Sequence, residues 1–138
     1  MTLYSQTISI YAAAWVPMVF IAIANGATRE IIFSKFMKEL PAHQLSCVTG
    51  VILFYFYTFF LQKHFPLHSS EEAISIGFMW LTLTISFEFV FGHYIMGNSW
   101  AKLFADYNIF KGKLWFFVLV ALIMLPLLVF IENNTNQL

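Results

Sequence analysis

Charge is what this chain has least of. Of its 138 residues only 10 % are Asp, Glu, Lys or Arg, and 60 % are hydrophobic. Soluble domains carry about 25 % charged residues. A domain this small cannot hide so much apolar surface from water, so a soluble globular fold is excluded. The formal net charge is zero, which leaves no basic surface for nucleic acid. There is a single cysteine, Cys47, inside a hydrophobic run. It cannot form an internal disulfide and is expected to be a small buried residue. Lys and Arg are missing from residues 1–24. Ala22-Ile23-Ala24 has the small-x-small look of a cleavage site, but without a positive n-region the segment reads as a first membrane helix. Also missing are a nucleophile motif, a phosphate loop and a cysteine pair. Ser99 and Asp106 have no obvious histidine partner. Nothing points to a cofactor, and the balance leans away from an enzyme.

What the chain does have is long apolar runs, in which Phe alone occurs 17 times. A membrane helix needs roughly 20 mostly apolar residues. Four runs qualify or nearly do: Ile8 to Thr28, Leu45 to Gln62, Ala73 to Gly92 and Leu114 to Ile131. They are too long for membrane strands and show no alternation. The expected fold is an all-α membrane protein, a four-transmembrane-helix bundle made of two helical hairpins in one domain, 1–138. Pro17 and Pro126 fall inside spans and should shape their helices.

Orientation follows from Lys and Arg in the short loops. The first loop holds Arg29, Lys35 and Lys38, and the third holds Lys102, Lys111 and Lys113. The second holds only Lys63, and the tails hold none. This bias predicts cytoplasmic first and third loops, with both termini outside. Both cytoplasmic connections look amphipathic. Ile32, Phe33, Phe36, Met37 and Leu40 have helical spacing within 29–40, as do Trp100, Leu103, Phe104 and Tyr107 within 99–110. The first reads as an interfacial helix or a cytoplasmic extension of helix 1.

An ionisable residue inside a span is costly and usually faces the protein interior. Glu88, in Phe87-Glu88-Phe89, is the outstanding case. It shares a helical stripe with Gly77, Leu81, Thr84 and Gly92, smaller and more polar than its surroundings. Helix 1 brings Asn25, Thr28, Arg29 and Glu30 to the same side. Ala22 and Gly26 form a small-xxx-small pair there. An Arg29–Glu88 pair would offset both charges, either simply fastening helix 1 to helix 3 or framing a polar pocket for an ion, a proton or a lipid headgroup. The candidate site is therefore Asn25, Arg29, Glu30, His43, Glu88 and Asp106. His43, Gln44 and His93 could join Glu30 and Glu88 as metal ligands on paper, but their scatter predicts no metal site. On the outer side, Ser69-Ser70-Glu71-Glu72 reads as the capped, acidic start of helix 3 rather than a ligand set with His64 and His68. Tyr11, Trp15, Trp100 and Trp115 lie near span ends and read as interface anchors.

Asn25-Gly26 with Arg29-Glu30, His43-Gln44, Phe87-Glu88-Phe89, Gly92, Gly97, Trp100, Asp106-Tyr107 and Gly112 form a pattern over nearly the whole chain. In it the chain resembles a group of small bacterial four-helix membrane proteins of unknown activity. It departs from that group at His93, where Arg is more usual. The resemblance implies a bacterial cytoplasmic membrane and brings no reaction or ligand. Three functions fit the residues. The first is a small ion- or proton-coupled transporter, oligomeric and with Glu88 as coupling carboxylate. The second is an accessory protein that binds a partner in the bilayer, and the third a protein that binds or modifies lipid headgroups.

Overall fold

The computed structural model describes residues 3–105 and 107–136. Four long helices carry the chain: α1 (Leu3–Thr28), α2 (Glu39–His64), α3 (Ser70–Val90) and, after a short α4 (Trp100–Ala105), α5 (Trp115–Asn136). No strand occurs among the described residues. All four long helices have the length and composition to cross a membrane. In hydrocarbon a helix satisfies its own backbone hydrogen bonds, which is why long apolar runs adopt it. The fold is an all-α four-helix bundle.

The helices form a ring in which α1 and α5 are diagonal, and each packs against both α2 and α3. The centre is filled by large side chains. Tyr11, Ile76, Trp80 and Val129 are fully buried, and Leu122 and Val118 nearly so. The outer faces stay apolar, with Val16, Phe20, Ile23, Phe56 and Phe78 all more than half exposed. Such surface suits lipid contact. The α3–α5 approach is closest at Gly77, where an added Cβ would stand 2.3 Å from the Ile123 carbonyl oxygen. Gly26, expected to mark a tight helix contact, faces nothing nearer than its own Arg29 at 4.0 Å.

One end of the bundle is unusual. Beyond Thr28, helix α1 continues through a π-helical turn, Arg29–Phe33, and a final turn, Ser34–Phe36. Helix α3 likewise ends in a π-helical turn, Phe91–Ile95. π-Turns are rare and recur at functional sites. The 29–40 segment is thus an extension of α1 rather than a separate interfacial helix. Helix α2 then begins at Glu39, well before Leu45. Pro41 lies in its first turn, where a missing N–H costs nothing, so the proline starts this helix instead of bounding it. At the opposite end Ser69 is the N-cap of α3, its hydroxyl accepting from Glu72 N–H at 3.1 Å. The Glu72 carboxylate in turn accepts from His68 N–H and is almost wholly buried.

Hydrogen bonds between helices pin both ends. Away from the π-turns, Tyr11 O–H donates to the Phe65 carbonyl at 2.7 Å, and Trp80 Nε1–H to the Tyr11 carbonyl at 2.9 Å. Each proline segment also gives a carbonyl to α2. Tyr57 O–H donates to Ala14, three residues before Pro17, and Gln62 Nε2–H donates to Pro126 itself.

Candidate functional site

The expected stripe on α3 does face inward. Gly77 and Gly92 are buried, and Leu81, Thr84 and Glu88 are half-buried. Glu88 Oε2 accepts two hydrogen bonds, from Tyr107 O–H at 2.6 Å and from Trp115 Nε1–H at 3.0 Å.

Each donor is held by a second set of contacts. The Tyr107 ring stacks on Phe89, one residue beyond Glu88, with 5.9 Å between centroids and 5° between planes. Leu103 of α4 lies over Gly92, which keeps the α3–α5 connection folded against the end of α3. Trp115 opens α5, where the first N–H groups lack intrahelical acceptors. His43 Nε2 supplies one, accepting from Leu114 N–H at 3.3 Å. Gln44 Nε2–H donates to the Gly112 carbonyl at 3.0 Å. Gly112 takes φ +82°, which favours glycine, and an added Cβ would meet Leu40 at 3.1 Å and Gln44 at 3.2 Å. The start of α2 therefore sets the loop that sets Trp115.

Glu88 also lines a cavity of about 170 Å³. Its polar wall is Glu88 and Thr84, and its aromatic wall is Trp15, Phe54, Phe87 and Trp115. The rest is aliphatic, including Ala22, Val118 and Leu122. Trp15 Nε1–H donates to Thr84 Oγ1 at 3.1 Å. Trp15 and Phe87 meet edge to face, 5.8 Å apart at 77°, and so form two walls of a corner. Ile23 stands at the rim on α1 and is 51 % exposed. The cavity thus reaches the apolar flank of the bundle, where lipid tails would lie.

The other expected residues separate into local clusters. Arg29 does not pair with Glu88. Its guanidinium lies 3.2 Å from Glu30, its sequence neighbour, with Arg29 partly and Glu30 largely exposed. Arg29 opens the π-turn, and its partner lies next to it along the helix. Asn25 turns to α2, donating to the Ser46 carbonyl at 2.8 Å and accepting from Thr49 O–H at 2.7 Å. His43 is buried beside Cys47, whose sulfur is 3.6 Å from Nε2. Asp106 lies outside the described residues. His93 Nδ1 sits 2.9 Å from the Asn98 carbonyl oxygen, and its ring stacks on Trp100 at 3.8 Å.

Tyr11, Trp15 and Trp115, expected as interface anchors, each direct the polar atom to another part of the bundle, and Tyr11 is fully buried. Tyr107 likewise turns its hydroxyl to Glu88. One available signal was the position of Trp115 at the start of a span on the side of Glu88. No family model matches this sequence, and no curated protein and no solved structure matches it.

Proposed function

We propose that this chain is a membrane-embedded binding protein that admits a small, mostly apolar molecule from the bilayer and holds its polar end at Glu88. The observation that carries this reading is the Glu88 cavity itself, with apolar and aromatic walls, one carboxylate and a rim on the lipid-facing flank. An apolar cavity of roughly 150 Å³ is large enough to hold benzene. The site is built to persist, because the carboxylate is held by Tyr107 and Trp115 and these by Phe89 and His43.

This reading belongs with lipid-headgroup or amphiphile binding. Coupled transport through Glu88 asks for a second route, beyond the cavity to the opposite end. There Tyr11, Ile76 and Trp80 close the centre with no exposed surface. An alternating partner conformation or an oligomer would have to supply that route. An accessory protein that binds a partner in the bilayer would suit a sealed bundle with Arg29 closed on Glu88, whereas Arg29 is engaged by Glu30.

The proposed setting is the bacterial cytoplasmic membrane, with the Glu88 end inside and both termini outside. Six Lys or Arg residues lie at the Glu88 end, and Lys63 alone at the other. A topology reporter fused after Leu138 should read as external, and a cytoplasmic signal would reverse the sidedness. Ligand binding is tested with tert-butylbenzene and full-length protein in lipid nanodiscs. Trp15 and Trp115 line the cavity, so filling it should change tryptophan fluorescence saturably. Ala22→Leu, which occupies the cavity from α1, should remove the saturable part. Absence of saturation in the unaltered protein, or saturation that survives Ala22→Leu, would overturn the reading.

A further inference from the structure

We infer that the ligand class of the Glu88 cavity is a lipophilic organic cation, an amine or quaternary ammonium group on an apolar body. This rests on the reading of the cavity as a ligand site and goes one step further, to the sign of charge it selects.

The polar atoms that the walls offer decide the sign of charge. Two indole donors line the cavity, and each is already directed at an acceptor, as is the neighbouring Tyr107 hydroxyl; the Thr84 hydroxyl accepts from Trp15 and is the remaining donor in the wall. Trp15 Nε1–H is on Thr84 Oγ1, and Trp115 Nε1–H and Tyr107 O–H are on Glu88 Oε2. The indoles therefore present ring surface to a guest rather than N–H groups. Ring faces carry negative quadrupole potential and attract cations within about 6 Å, tryptophan most strongly. Glu88 adds a carboxylate, an acceptor-only group when ionised. Among the described residues no Lys, Arg or His lines the cavity. Arg29, the nearest cation along α1 to the rim, is engaged by Glu30. An anion would thus meet a carboxylate of its own sign and π-faces, with the Thr84 hydroxyl as a lone donor.

A cation also addresses the cost of the site. A carboxylate held against apolar walls is stabilised when a guest brings the opposite charge into the same cavity. A quaternary ammonium needs no hydrogen bonds, so it suits rings whose donors are already used. An ammonium bearing protons would additionally donate to Glu88. Entry past Ile23 favours guests that partition into lipid, which excludes inorganic cations with strongly bound hydration water.

The test compares isosteres, so that shape is constant and charge is the variable. Phenyltrimethylammonium and tert-butylbenzene differ by nitrogen for carbon, and benzenesulfonate supplies the opposite sign. Binding to the full-length protein in phosphatidylcholine nanodiscs is measured by tryptophan fluorescence, with each concentration corrected for membrane partition. The cation should bind at least about tenfold more tightly than its neutral isostere. The two should displace one another, and benzenesulfonate should displace neither. In Glu88→Gln the preference for the cation should fall to about threefold or less. Glu88→Asp should retain most of it, which separates charge from loss of fold. Equal affinity for the two isosteres, or binding of benzenesulfonate, overturns the inference while leaving a cavity that binds apolar molecules. A preference that survives in Glu88→Gln also overturns it. If none of the three binds saturably, the cavity reading fails, and this inference with it. The isostere comparison needs only the unaltered protein, so a misfolded variant does not prevent a decision.

Discussion

Removing the Tyr107 hydroxyl tests the centre of the site at the cost of one atom. Tyr107→Phe keeps the ring that stacks on Phe89 and deletes the 2.6 Å bond to Glu88. A hydrogen bond to a charged group contributes about 1.5–3 kcal/mol, and one between neutral groups about 0.5–1.5 kcal/mol. Glu88→Gln keeps an acceptor oxygen but removes the charge. Tyr107→Phe should therefore cost about 1.5–3 kcal/mol in the unaltered chain and roughly 1 kcal/mol less than that in the Glu88→Gln background. The assay is unfolding free energy in mixed micelles of detergent and denaturing surfactant, for both single variants and the double. Equal costs in the two backgrounds would refute the contact. Arg29→Ala run through the same cycle should be additive with Glu88→Gln. Its partner is the exposed Glu30, and such a pair contributes at most about 1 kcal/mol. Coupling between Arg29 and Glu88 would restore the ion pair expected from sequence and undo the present assignment.

Other outcomes follow from the packing. Gly77→Ala should destabilise the bundle by about 1–3 kcal/mol, because the new Cβ meets backbone at Ile123, whereas Gly92→Ala meets only the flexible end of Leu103; similar melting temperatures for the two would contradict the close α3–α5 approach. His43→Ala leaves the Leu114 N–H without its acceptor and should cost about 1–3 kcal/mol, with a shift in Trp115 fluorescence as the local readout; an unchanged spectrum and melting temperature would remove His43 from the support of the site. Spin labels at Phe36 and Phe110, which are 81 % and 95 % exposed, should report membrane or headgroup contact, whereas a label at Leu103, against Gly92, should be immobilised; the reverse order would mean that the connection does not fold onto α3.

The bundle was legible from the sequence for a simple reason. Apolar runs of helical length have one stable form in hydrocarbon, and no long-range information is needed to infer it. Glu88 was legible on the same principle, since a carboxylate within such a run stands out whatever surrounds it. Its partners were not. Tyr107 comes from a connection whose path depends on Leu103 over Gly92 and Gln44 on Gly112. Trp115 is aimed by a histidine 71 residues away from Leu114. Periodicity carries no trace of contacts of that kind. Arg29 was matched to Glu88 by depth and charge, two properties that do not register a nearer carboxylate at Glu30. The α2 boundary shifted because a proline in a first turn and a proline that ends a run look alike in sequence.

The pinning of the bundle at both ends limits how it can meet its bilayer. Between Trp80 and Tyr11, and nearer the π-turn end between His43 and Leu114 and between Gln44 and Gly112, the two hairpins are joined by bonds to backbone atoms. They cannot slide past one another without breaking several at once. A thinner or thicker membrane must then be met by tilting the whole body or by deforming the surrounding lipid, each costing fractions of a kcal/mol per ångström of mismatch. Membrane thickness would accordingly change the angle at which this protein stands, while the depth of Glu88 relative to its own helices stays constant.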